Sequence, residues 1–372
     1  MTGTAVAVIQ AESLRHNLRV VRSLAPGCPV LAVIKANAYG HGLVSAARIL
    51  EGADGFAVAR LDEALVLRAA GIAGRIVVLS GMLSTDDARF AGTSDLDVVV
   101  HDPVQVDTLE RAGAAGPRNV WLKVDTGMGR LGVEPSAVPG LVARLRICLG
   151  ASGNLRLMTH LASADDPASD VTEAQLAVFR EVRRNWPADI SIANSAAILA
   201  YPGAHETPGT GDIPPVGRNW VRPGLMLYGA SPLPDKPAAS LGLRPAMSFE
   251  SRLIAVRPMP RGRHVGYGGD WTAGRDTVVG VAAVGYADGY PWHSSRGTPV
   301  LVNGSRARVI GRVSMDLISI DLTGIEARPG DRVVLWGEGL PVEEVARCAG
   351  TIAYELLAAI GARVVRQVDD RA

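Results

Sequence analysis

The segment VLAVIKANAYGHG (30–42) carries the pattern on which the fold assignment depends, because five apolar residues pass directly into lysine, asparagine, tyrosine and histidine. A short apolar run of this kind is typical of a strand that is buried on both faces of a sheet. Comparable runs recur along the first 230 residues of the chain. They occupy residues 30–34, 55–59, 75–79, 96–100, 120–124, 155–159, 190–193 and 226–228.

Stretches with helical spacing separate these runs. Leu14, Leu18 and Val21 fall on one helical face, and the same period returns in residues 136–147 and 172–186. Buried strands that alternate with amphipathic helices indicate a parallel sheet covered by helices. Eight such units in about 230 residues predict an α/β fold with an N-terminal (β/α)8 TIM barrel.

The pattern changes after this region. PLPDKPAASLGLRP (232–245) is rich in proline and is typical of a linker, and short β-like segments then follow, interrupted by one predicted helix over residues 342–357. These features predict a barrel domain over residues 1–240 and a mainly-β domain over residues 241–372. Residues 203–219 have many prolines and glycines and no period, which predicts a loop.

Composition excludes several classes of protein. Thirty-eight basic and 37 acidic residues leave a formal net charge of +1, so nothing in the charge favours nucleic acid or an anionic membrane as a partner. The three cysteines are too scattered for a zinc site and suit a reducing compartment. No apolar run approaches the roughly 20 residues of a membrane span, and the N-terminus lacks the basic region of a signal peptide. We therefore expect a cytoplasmic enzyme without a metal.

Polar residues stand at the predicted strand ends. Lys35, Arg130, His160, Ser195 and Arg222 each follow or flank one of the apolar runs. Any one of them alone is more typical of a solvated rim residue or a satisfied polar side chain. Because the carboxyl ends of barrel strands meet at one rim, however, the five residues together predict a site there.

Lys35 has the sequence context of a reactive amine. It directly follows an apolar run, and desolvation lowers the pKa of a lysine, which makes it usable as a base or a Schiff-base amine. The hydroxyls of Tyr39 and Ser195 and the unhindered N–H of Gly224 are groups that a phosphate dianion needs. A phosphate-bearing aldehyde, pyridoxal phosphate, requires both features.

Lys123 presents a problem of charge. In WLKVD (121–125) it shares a strand face with Trp121 and Asp125. If that face lies inside the barrel, the ammonium is buried near Arg130, at a cost of several kcal/mol. Three alternatives stay open at this point: an ion pair with Asp125, chemical neutralisation of the amine, or a side chain that extends to the barrel edge.

The motifs in order closely resemble those of the bacterial alanine racemases. AVIKANAYGHG (32–42) is similar to the family's pyridoxal-phosphate lysine motif, and eight further segments follow in the family's order, within a resemblance that spans about residues 12 to 365. They are WLKVDTGMGRLG (121–132), MTHLASAD (158–165), IANSAA (192–197), VRPGLMLYG (221–229), VGYGGDW (265–271), VGYADGY (284–290), GRVSMD (311–316) and TIAYELL (351–357).

The resemblance implies a cofactor and two bases. Pyridoxal 5'-phosphate is then carried by Lys35 as a Schiff base, and Lys35 is one catalytic base. Tyr267 is the second, supplied by the β domain of the partner chain in a homodimer with shared active sites. Two bases on opposite faces of a planar cofactor can remove the α-proton from one face and return one to the other. His160, and Arg222 beyond it, are the groups that assist the tyrosine.

The resemblance also implies further site residues. Arg222 faces the pyridine nitrogen, and the substrate contacts are Arg130 and the partner chain's copy of Met315. Lys123 matches a lysine that many members carry as a carbamate, an anion beside Arg130. The channel residues are Arg312, Asp316 and Tyr286. The cofactor-binding residues are Lys35, Tyr39, His160, Asn194, Ser195, Arg222, Gly224, Leu225 (through its backbone) and Tyr354.

The expected activity is the interconversion of L-alanine and D-alanine, which supplies D-alanine for peptidoglycan. The alternative is a serine or broader small-amino-acid racemase. An amino-acid decarboxylase of related architecture would carry a cysteine-containing block in the β domain, where this chain has Cys348 inside a predicted helix. A barrel-only pyridoxal-phosphate binding protein would not need residues 241–372. The 203–219 segment is longer than its counterpart in the family, and selectivity among small amino acids stays open.

Overall fold

Eight parallel strands form a closed sheet in the computed structural model, which describes residues 4–184, 186–205, 217–294 and 297–371. Each strand pairs with the next one along the chain, and the bridge between Val30 and Val221 joins the last strand to the first. After β1 (Val6–Gln10), these strands are β2 (Leu31–Val33), β3 (Gly55–Val58), β4 (Ile76–Val78), β5 (Asp97–Val100), β6 (Asn119–Lys123), β7 (Asn154–Met158), β8 (Ile190–Asn194) and β9 (Asn219–Arg222). The predicted TIM barrel is confirmed.

Helices connect the barrel strands, and several start at capping residues that the sequence supplies. Asp102, which directly precedes Pro103, accepts the backbone N–H of Val104. Ser84 and Asp87 form a capping box at the start of another helix. The helices are α1 (Ala11–Leu24), α2 (Leu43–Ile49), α3 (Leu61–Ala69), α4 (Thr85–Thr93), α5 (Pro103–Ala112), α6 (Val138–Leu149), α7 (Val171–Arg184) and α8 (Ser195–Ala200). They cover the outside of the sheet and leave its strand ends free.

The second sheet is mostly antiparallel. Its long strand β10 (Met247–Met259) pairs with β13 and with β17, so six strands close on themselves. The remaining strands of the chain are β11 (His264–Val265), β12 (Trp271–Thr272), β13 (Thr277–Ala282), β14 (Pro299–Val302), β15 (Ser305–Ile310), β16 (Ile318–Asp321), β17 (Arg332–Trp336) and β18 (Val365–Asp369). Helices α9 (Val342–Cys348) and α10 (Ala353–Ala358) lie between the last two strands in sequence. A mainly-β second domain is thus confirmed.

The chain's first strand belongs to this second sheet. β1 pairs antiparallel with β10 and parallel with β18. The sheet therefore includes residues from both ends of the chain. The division at residue 240 stays a prediction, but a cut there would separate β1 from both of its neighbours.

Two element predictions are wrong. Residues 226–228 lie in a 3-10 turn (Leu225–Tyr228), and the eighth strand is the more polar Asn219–Arg222. The turn is fully buried, and a short apolar run alone does not distinguish a strand from another buried segment. The single helix expected over residues 342–357 is two helices, because Gly350 between them has a φ of 65°. Within the predicted 203–219 loop, residues 206–216 lie outside the described residues.

Charged and aromatic side chains close the amino-terminal end of the barrel. The buried Asp97 accepts from Trp121 at 3.0 Å, and it pairs with Arg75 at 3.1 Å and with the buried Arg156 at 3.5 Å. Burial raises the pKa of Asp97, and the two arginines oppose that shift. This end of the barrel is filled, so the opposite end is the one open to a ligand.

We expect Asp97→Asn to lower the free energy of unfolding by about 3 kcal/mol, because the buried Arg156 would lose a charged partner. Urea denaturation measures this, with Asp86→Asn as the matched control. Asp86 pairs with Arg89 on an exposed surface, where such pairs contribute about 0 to 1 kcal/mol. Equal effects of the two substitutions would contradict the role assigned to Asp97.

Candidate active site

The predicted residues meet at the carboxyl ends of the barrel strands. Lys35 follows β2, Arg130 lies in the loop after β6, and His160 follows β7. Ser195 begins α8 directly after β8, and Arg222 is the last residue of β9. The structure therefore brings together the barrel residues that the sequence singled out.

A left-handed turn (residues 36–39) follows Lys35. Ala36, Asn37, Ala38 and Tyr39 have φ values of 54°, 55°, 55° and 50°. Each residue with a Cβ costs roughly 1–2 kcal/mol in this conformation, so such segments persist only where their surroundings hold them. The strain lies directly beside the lysine.

His41 holds this turn from its carboxyl-terminal side. Its Nδ1–H donates to the carbonyl oxygens of Ala38 at 3.0 Å and of Tyr39 at 2.8 Å. The Asn37 side chain accepts the N–H of Leu43 at 2.8 Å. These bonds satisfy backbone groups that a right-handed helix would have paired internally.

Glu63 holds the turn from the other side and was missed as a site residue. Its carboxylate accepts the N–H of Ala36 at 2.7 Å and the N–H of Ala59 at 2.9 Å. It also accepts the backbone N–H of Arg60, directly before α3, at 3.2 Å. The acidic start of this helix is visible in the sequence, but the second contact, across to the lysine turn, is not.

The environment of Lys35 favours the neutral amine. Burial lowers the pKa of Lys35 first, and the nearby charge of Arg130 lowers it further, while Glu63 acts in the opposite direction. An amine with a lowered pKa is a better nucleophile and base near neutral pH.

Lys123 is buried at the end of β6, close to the other charges of the site. Burial, with the charges of Arg222, Arg130 and Lys35 acting in the same direction, lowers the pKa of Lys123 to about 8. Asp125 opposes the shift, yet its carboxylate accepts three backbone N–H groups of the following loop. Among the described residues Lys123 forms no ion pair, so two of the three alternatives, pairing with Asp125 and an exposed position at the barrel edge, are not found.

Arg222 is buried and held from several directions. It donates to the hydroxyl of Ser191 at 2.5 Å and to the carbonyl oxygen of Thr159 at 2.7 Å. It also lies 3.3 Å from Nδ1 of His160. Because a guanidinium only donates, this nitrogen of His160 is an acceptor, and the proton of the neutral ring lies on Nε2. Burial lowers the pKa of His160 well below its usual range, and Arg222 contributes to that shift.

A buried polar layer beneath His160 was also missed. Gln175 donates to the carbonyl oxygen of His160 at 3.1 Å and to the hydroxyl of Thr126 at 3.2 Å. Thr126 in turn is 2.8 Å from the hydroxyl of Thr159. The sequence signal is a glutamine on the apolar face of α7, next to Leu176.

Backbone amides and hydroxyls form a small cradle at the ends of β8 and β9. The Ser195 hydroxyl accepts the N–H of Gly224 at 2.8 Å and the N–H of Met226 at 3.4 Å. The Gly224 N–H is thus engaged by Ser195, not free as expected. A Cβ at position 224 would lie 2.5 Å from the Tyr39 hydroxyl, so a larger residue there would displace the phenol from this position.

Three tyrosine rings lie beside this cradle. Tyr39 stacks on Tyr228 with ring centroids 4.6 Å apart, and the ring centroids of Tyr39 and Tyr354 are 6.1 Å apart. Burial raises the pKa of Tyr39, and it raises that of Tyr354 to about 12. Both phenols therefore stay protonated and can donate hydrogen bonds to an anion.

Asn194 and Leu225 have backbone and packing roles in the structure. The Asn194 side chain accepts the N–H of Ala197 and caps α8, and Leu225 is buried in the 3-10 turn. Both lie beside the cradle of Ser195 and Gly224.

The whole arrangement suits a phosphate dianion next to a neutral amine, since several cations and donors converge while the nearby carboxylates are occupied by backbone N–H groups.

The remaining predicted residues lie on the second domain. Tyr267 is 69% exposed, between Gly266 and Gly268, both with positive φ. It is not among the groups that shift the pKa of Lys35. Arg312 forms an ion pair with Asp270 beside this loop.

Tyr286, Met315 and Asp316 form a second group on this domain. The backbone N–H of Tyr286 donates to Ser314 at 3.1 Å, and the 3-10 turn it begins packs on the segment that carries Met315. Asp316 pairs with Arg363 at 2.7 Å. Tyr286 and Met315 are 42% and 52% exposed. Within the part of the chain that the structure describes, no cluster of His, Cys, Asp or Glu is placed to hold a metal ion.

Comparisons with known proteins agree along the whole chain. A family model described as "Alanine racemase, N-terminal domain" matches residues 9–232, and one described as "Alanine racemase, C-terminal domain" matches residues 246–368. The chain is 47% identical over 365 residues to an alanine racemase from Nitrosococcus oceani, covering 98% of this chain and 99% of that protein. It is 45% identical over 366 residues to the alanine racemase of Edwardsiella ictaluri, covering 98% of each.

Solved structures give the same result. The biosynthetic alanine racemase from Pseudomonas aeruginosa superposes with a TM-score of 0.92 at 44% identity, covering 99% of this chain and 100% of that one. The alanine racemase from Acinetobacter baumannii superposes with a TM-score of 0.89 at 34% identity, with the same coverage.

We expect stability to fall with acid because of His41. Burial lowers its pKa to about 4, so between that value and about 6.5 the unfolded chain binds a proton that the folded chain does not. The free energy of unfolding should drop by about 2 kcal/mol from pH 7 to roughly pH 5 from this group alone. Urea denaturation across this pH range measures it. His41→Asn should flatten the slope, whereas His16→Gln, on the surface of α1, should not; an unchanged slope in His41→Asn would disprove the assignment.

Proposed function

The chain belongs to the alanine racemase family, and from this we propose that it interconverts L-alanine and D-alanine with pyridoxal phosphate held at Lys35. The observation that carries the proposal is the position of Lys35. It is a half-buried lysine with a lowered pKa, at the carboxyl end of a barrel strand, close to the charges of Arg130 and Lys123 and on the same rim as the cradle of Ser195 and Gly224. The relatives' names favour alanine over serine or a broader range of substrates.

The residues present fit pyridoxal phosphate. We assign its phosphate to Tyr39, Ser195, Gly224, the backbone of Leu225 and Tyr354, with Asn194 alongside. We assign its ring nitrogen to Arg222, whose permanent charge disfavours protonation of that nitrogen. When bound, the cofactor would supply an electron sink that makes the α-proton of the amino acid acidic. The glycine at 224, where a Cβ would meet the Tyr39 hydroxyl, supports a cradle built for close approach.

We assign proton transfer to Lys35 on one face of the planar α-carbon and to Tyr267 on the other face. A rigid base on one side cannot easily serve both faces of a planar carbon, so two bases are required. A free tyrosine has a pKa near 10 and needs assistance to act as a base. We assign this assistance to His160, because its Nε2 carries the proton and can donate to the phenolate. Arg222 keeps the imidazole in that tautomer.

Arg130 is assigned to the substrate carboxylate, with Lys123 as its anionic partner. The lowered pKa of Lys123, about 8, leaves a usable fraction of neutral amine at physiological pH. That amine can add to carbon dioxide and lose one proton, giving an N-carboxylate of charge −1. The product would replace repulsion between Lys123 and Arg130 with attraction, and it would hold the guanidinium in place.

A homodimer would complete each site. Tyr267, Met315 and Tyr286 expose 69%, 52% and 42% of their surface, so their side chains are available to a partner chain, and aromatic and methionine side chains are enriched in interfaces. We propose that these residues, with Arg312 and Asp316 at the channel, face the barrel of a second chain.

We propose the cytoplasm as the location and D-alanine supply for peptidoglycan as the role. Within the described ranges, no helix is both long and apolar enough to cross a membrane. Cys28, Cys148 and Cys348 are not joined in disulfides, which suits a reducing compartment. The Pseudomonas aeruginosa relative is described as biosynthetic, which supports the anabolic role.

We expect L-alanine in heavy water to give D-alanine with deuterium at Cα. Lys35→Ala and Tyr267→Phe should each reduce this rate by at least roughly 1000-fold, since each removes a base. Chiral chromatography with mass spectrometry measures it, and L-serine serves as the competing substrate. Release of carbon dioxide, or faster turnover of L-serine, would contradict the proposed reaction.

Coexpression of the two variants tests the shared site in the same assay. A mixed dimer has one site with both bases intact and one with neither. Random assembly should therefore restore about one quarter of wild-type activity. If Lys35 and Tyr267 act within one chain, the mixture should stay inactive.

The carbamate on Lys123 predicts a dependence on carbon dioxide. Protein depleted of carbon dioxide should bind L-alanine more weakly, by about 10-fold, and bicarbonate should restore affinity. Lys123→Ala should show the same weak binding without rescue by bicarbonate but with rescue by a short carboxylate such as acetate. A carbon-13 NMR signal from labelled carbamate checks the modification directly, and its absence in the wild-type protein would disprove it.

A further inference from the structure

We propose that Arg366, in β18 of the second domain, is a positioning residue that holds the left-handed turn after Lys35 and thereby sets the affinity for the cofactor. The proposal rests on the function proposed above, in which Lys35 carries pyridoxal phosphate. It concerns a residue more than 300 positions away in sequence. Arg366 contacts neither the substrate nor the cofactor in this assignment and acts through the turn alone.

The guanidinium of Arg366 bridges the turn and the end of α10. Nε donates to the carbonyl oxygen of Gly40 at 2.6 Å, and Nη2 donates to that of Ile360 at 2.9 Å. Nη1 lies 3.3 and 3.4 Å from the carbonyl oxygens of Val364 and Gly361. One side chain therefore fixes the distance between the residue that ends the turn and the segment after α10. The bonds are partly buried and charge-assisted, which makes them stronger than neutral ones.

Packing at Gly40 makes this contact specific. Gly40 ends the left-handed turn with a φ of 80°, and a Cβ there would collide with the carbonyl oxygen of Leu357. A Cβ at Gly42 would lie 3.7 Å from Cδ of Arg366. The backbone of the turn thus lies directly against α10 and the arginine stem, with no room for an intervening side chain.

The turn needs this hold because its own residues do not favour it. Ala36 and Ala38 prefer right-handed or extended backbone, and Glu63 fixes only the amino-terminal end. His41 bonds to the carboxyl-terminal end from within the same segment, and Arg366 ties that end to another domain. Without Arg366 this tie is lost, and the turn can shift the lysine amine.

The same arginine also relates two phosphate ligands of the proposed site. Tyr39 is the last residue of the turn, and Tyr354 lies in α10. Their rings are 6.1 Å apart. Because Arg366 ties Gly40 to Ile360, it fixes the spacing of the two hydroxyls. Its loss should weaken cofactor binding far more than it slows the enzyme once loaded.

The experiment uses Arg366→Met, which keeps the aliphatic stem and removes the donors, in the full-length protein. In the cofactor-free protein, amides of residues 36–43 should exchange with deuterium at least about 10-fold faster. The dissociation constant for pyridoxal phosphate, followed by absorbance, should rise by about 10- to 100-fold. At saturating cofactor, kcat should stay within about 3-fold.

Two further variants provide rescue and control. Arg366→Lys keeps one donor and should recover part of the affinity and of the exchange protection. Arg371→Met removes an exposed arginine that pairs with Asp369 in the same terminal segment, and it should match wild type in all three measurements. If Arg366→Met does not fold, Arg366→Gln, which keeps one amide donor, takes its place in the same assays.

Three outcomes would overturn the inference. They are unchanged exchange in residues 36–43, faster exchange spread equally over the whole chain, and wild-type affinity for pyridoxal phosphate. Failure of the proposed function gives a different result. In that case borohydride would fix no cofactor on Lys35 of the wild-type protein, while the exchange measurement on the cofactor-free variants could still be scored.

Discussion

The left-handed turn of residues 36–39 is the constraint on which the rest of the site depends. Four residues with side chains hold a left-handed conformation directly beside Lys35, and only one of them, an asparagine, has a short polar side chain that can hydrogen-bond locally to favour it. The barrel supplies one stabilising contact through Glu63, the turn supplies its own through His41, and the second domain supplies another through Arg366. The position of one amine is therefore determined by three separated parts of the chain.

Electrostatics imposes a second constraint at the same rim. Arg130 lowers the pKa of Lys35, and Arg222, Arg130 and Lys35 all lower that of Lys123, while the carboxylate of Asp125 is occupied by backbone N–H groups. Such a set of cations is costly unless an anion joins it. A phosphate, a substrate carboxylate and a carbamate would each supply negative charge. The cations of this rim are therefore better balanced in charge when an anion is bound among them.

Sequence reasoning predicted the barrel because its strands are short apolar runs, each followed by a polar residue at the same rim. It placed Lys35 and His160 correctly relative to their strands for that reason. It failed at β9, where Asn219 and Arg222 make the strand polar and the buried 3-10 turn after it is the more apolar segment. Local composition does not reveal which of two adjacent segments is hydrogen-bonded into a sheet.

The contacts that set the site were harder to predict, since they join distant residues. Glu63 was visible as a helix start, but its bond to Ala36 depends on how β2 and β3 pair. The left-handed turn gave no signal, because Ala36, Asn37 and Ala38 are ordinary helix or turn residues in sequence. Arg366 gave none either, as its role depends on where β18 lies. Long-range geometry, and not residue type, determines these contacts.

The pairing of β1 with β18 has a consequence for how the protein is made. Val6 lies beside Glu250 of β10 on one side and beside Val365 of β18 on the other, so β1 can take its final place only after residues 365–369 have been synthesised. Until then β1 can pair with β10 alone, and its other edge is open to other chains. The last strand carries Arg366, so the pairing of β18 that completes the sheet also brings this guanidinium against the left-handed turn after Lys35. Tight binding of the cofactor would then require that β18 has been synthesised and paired.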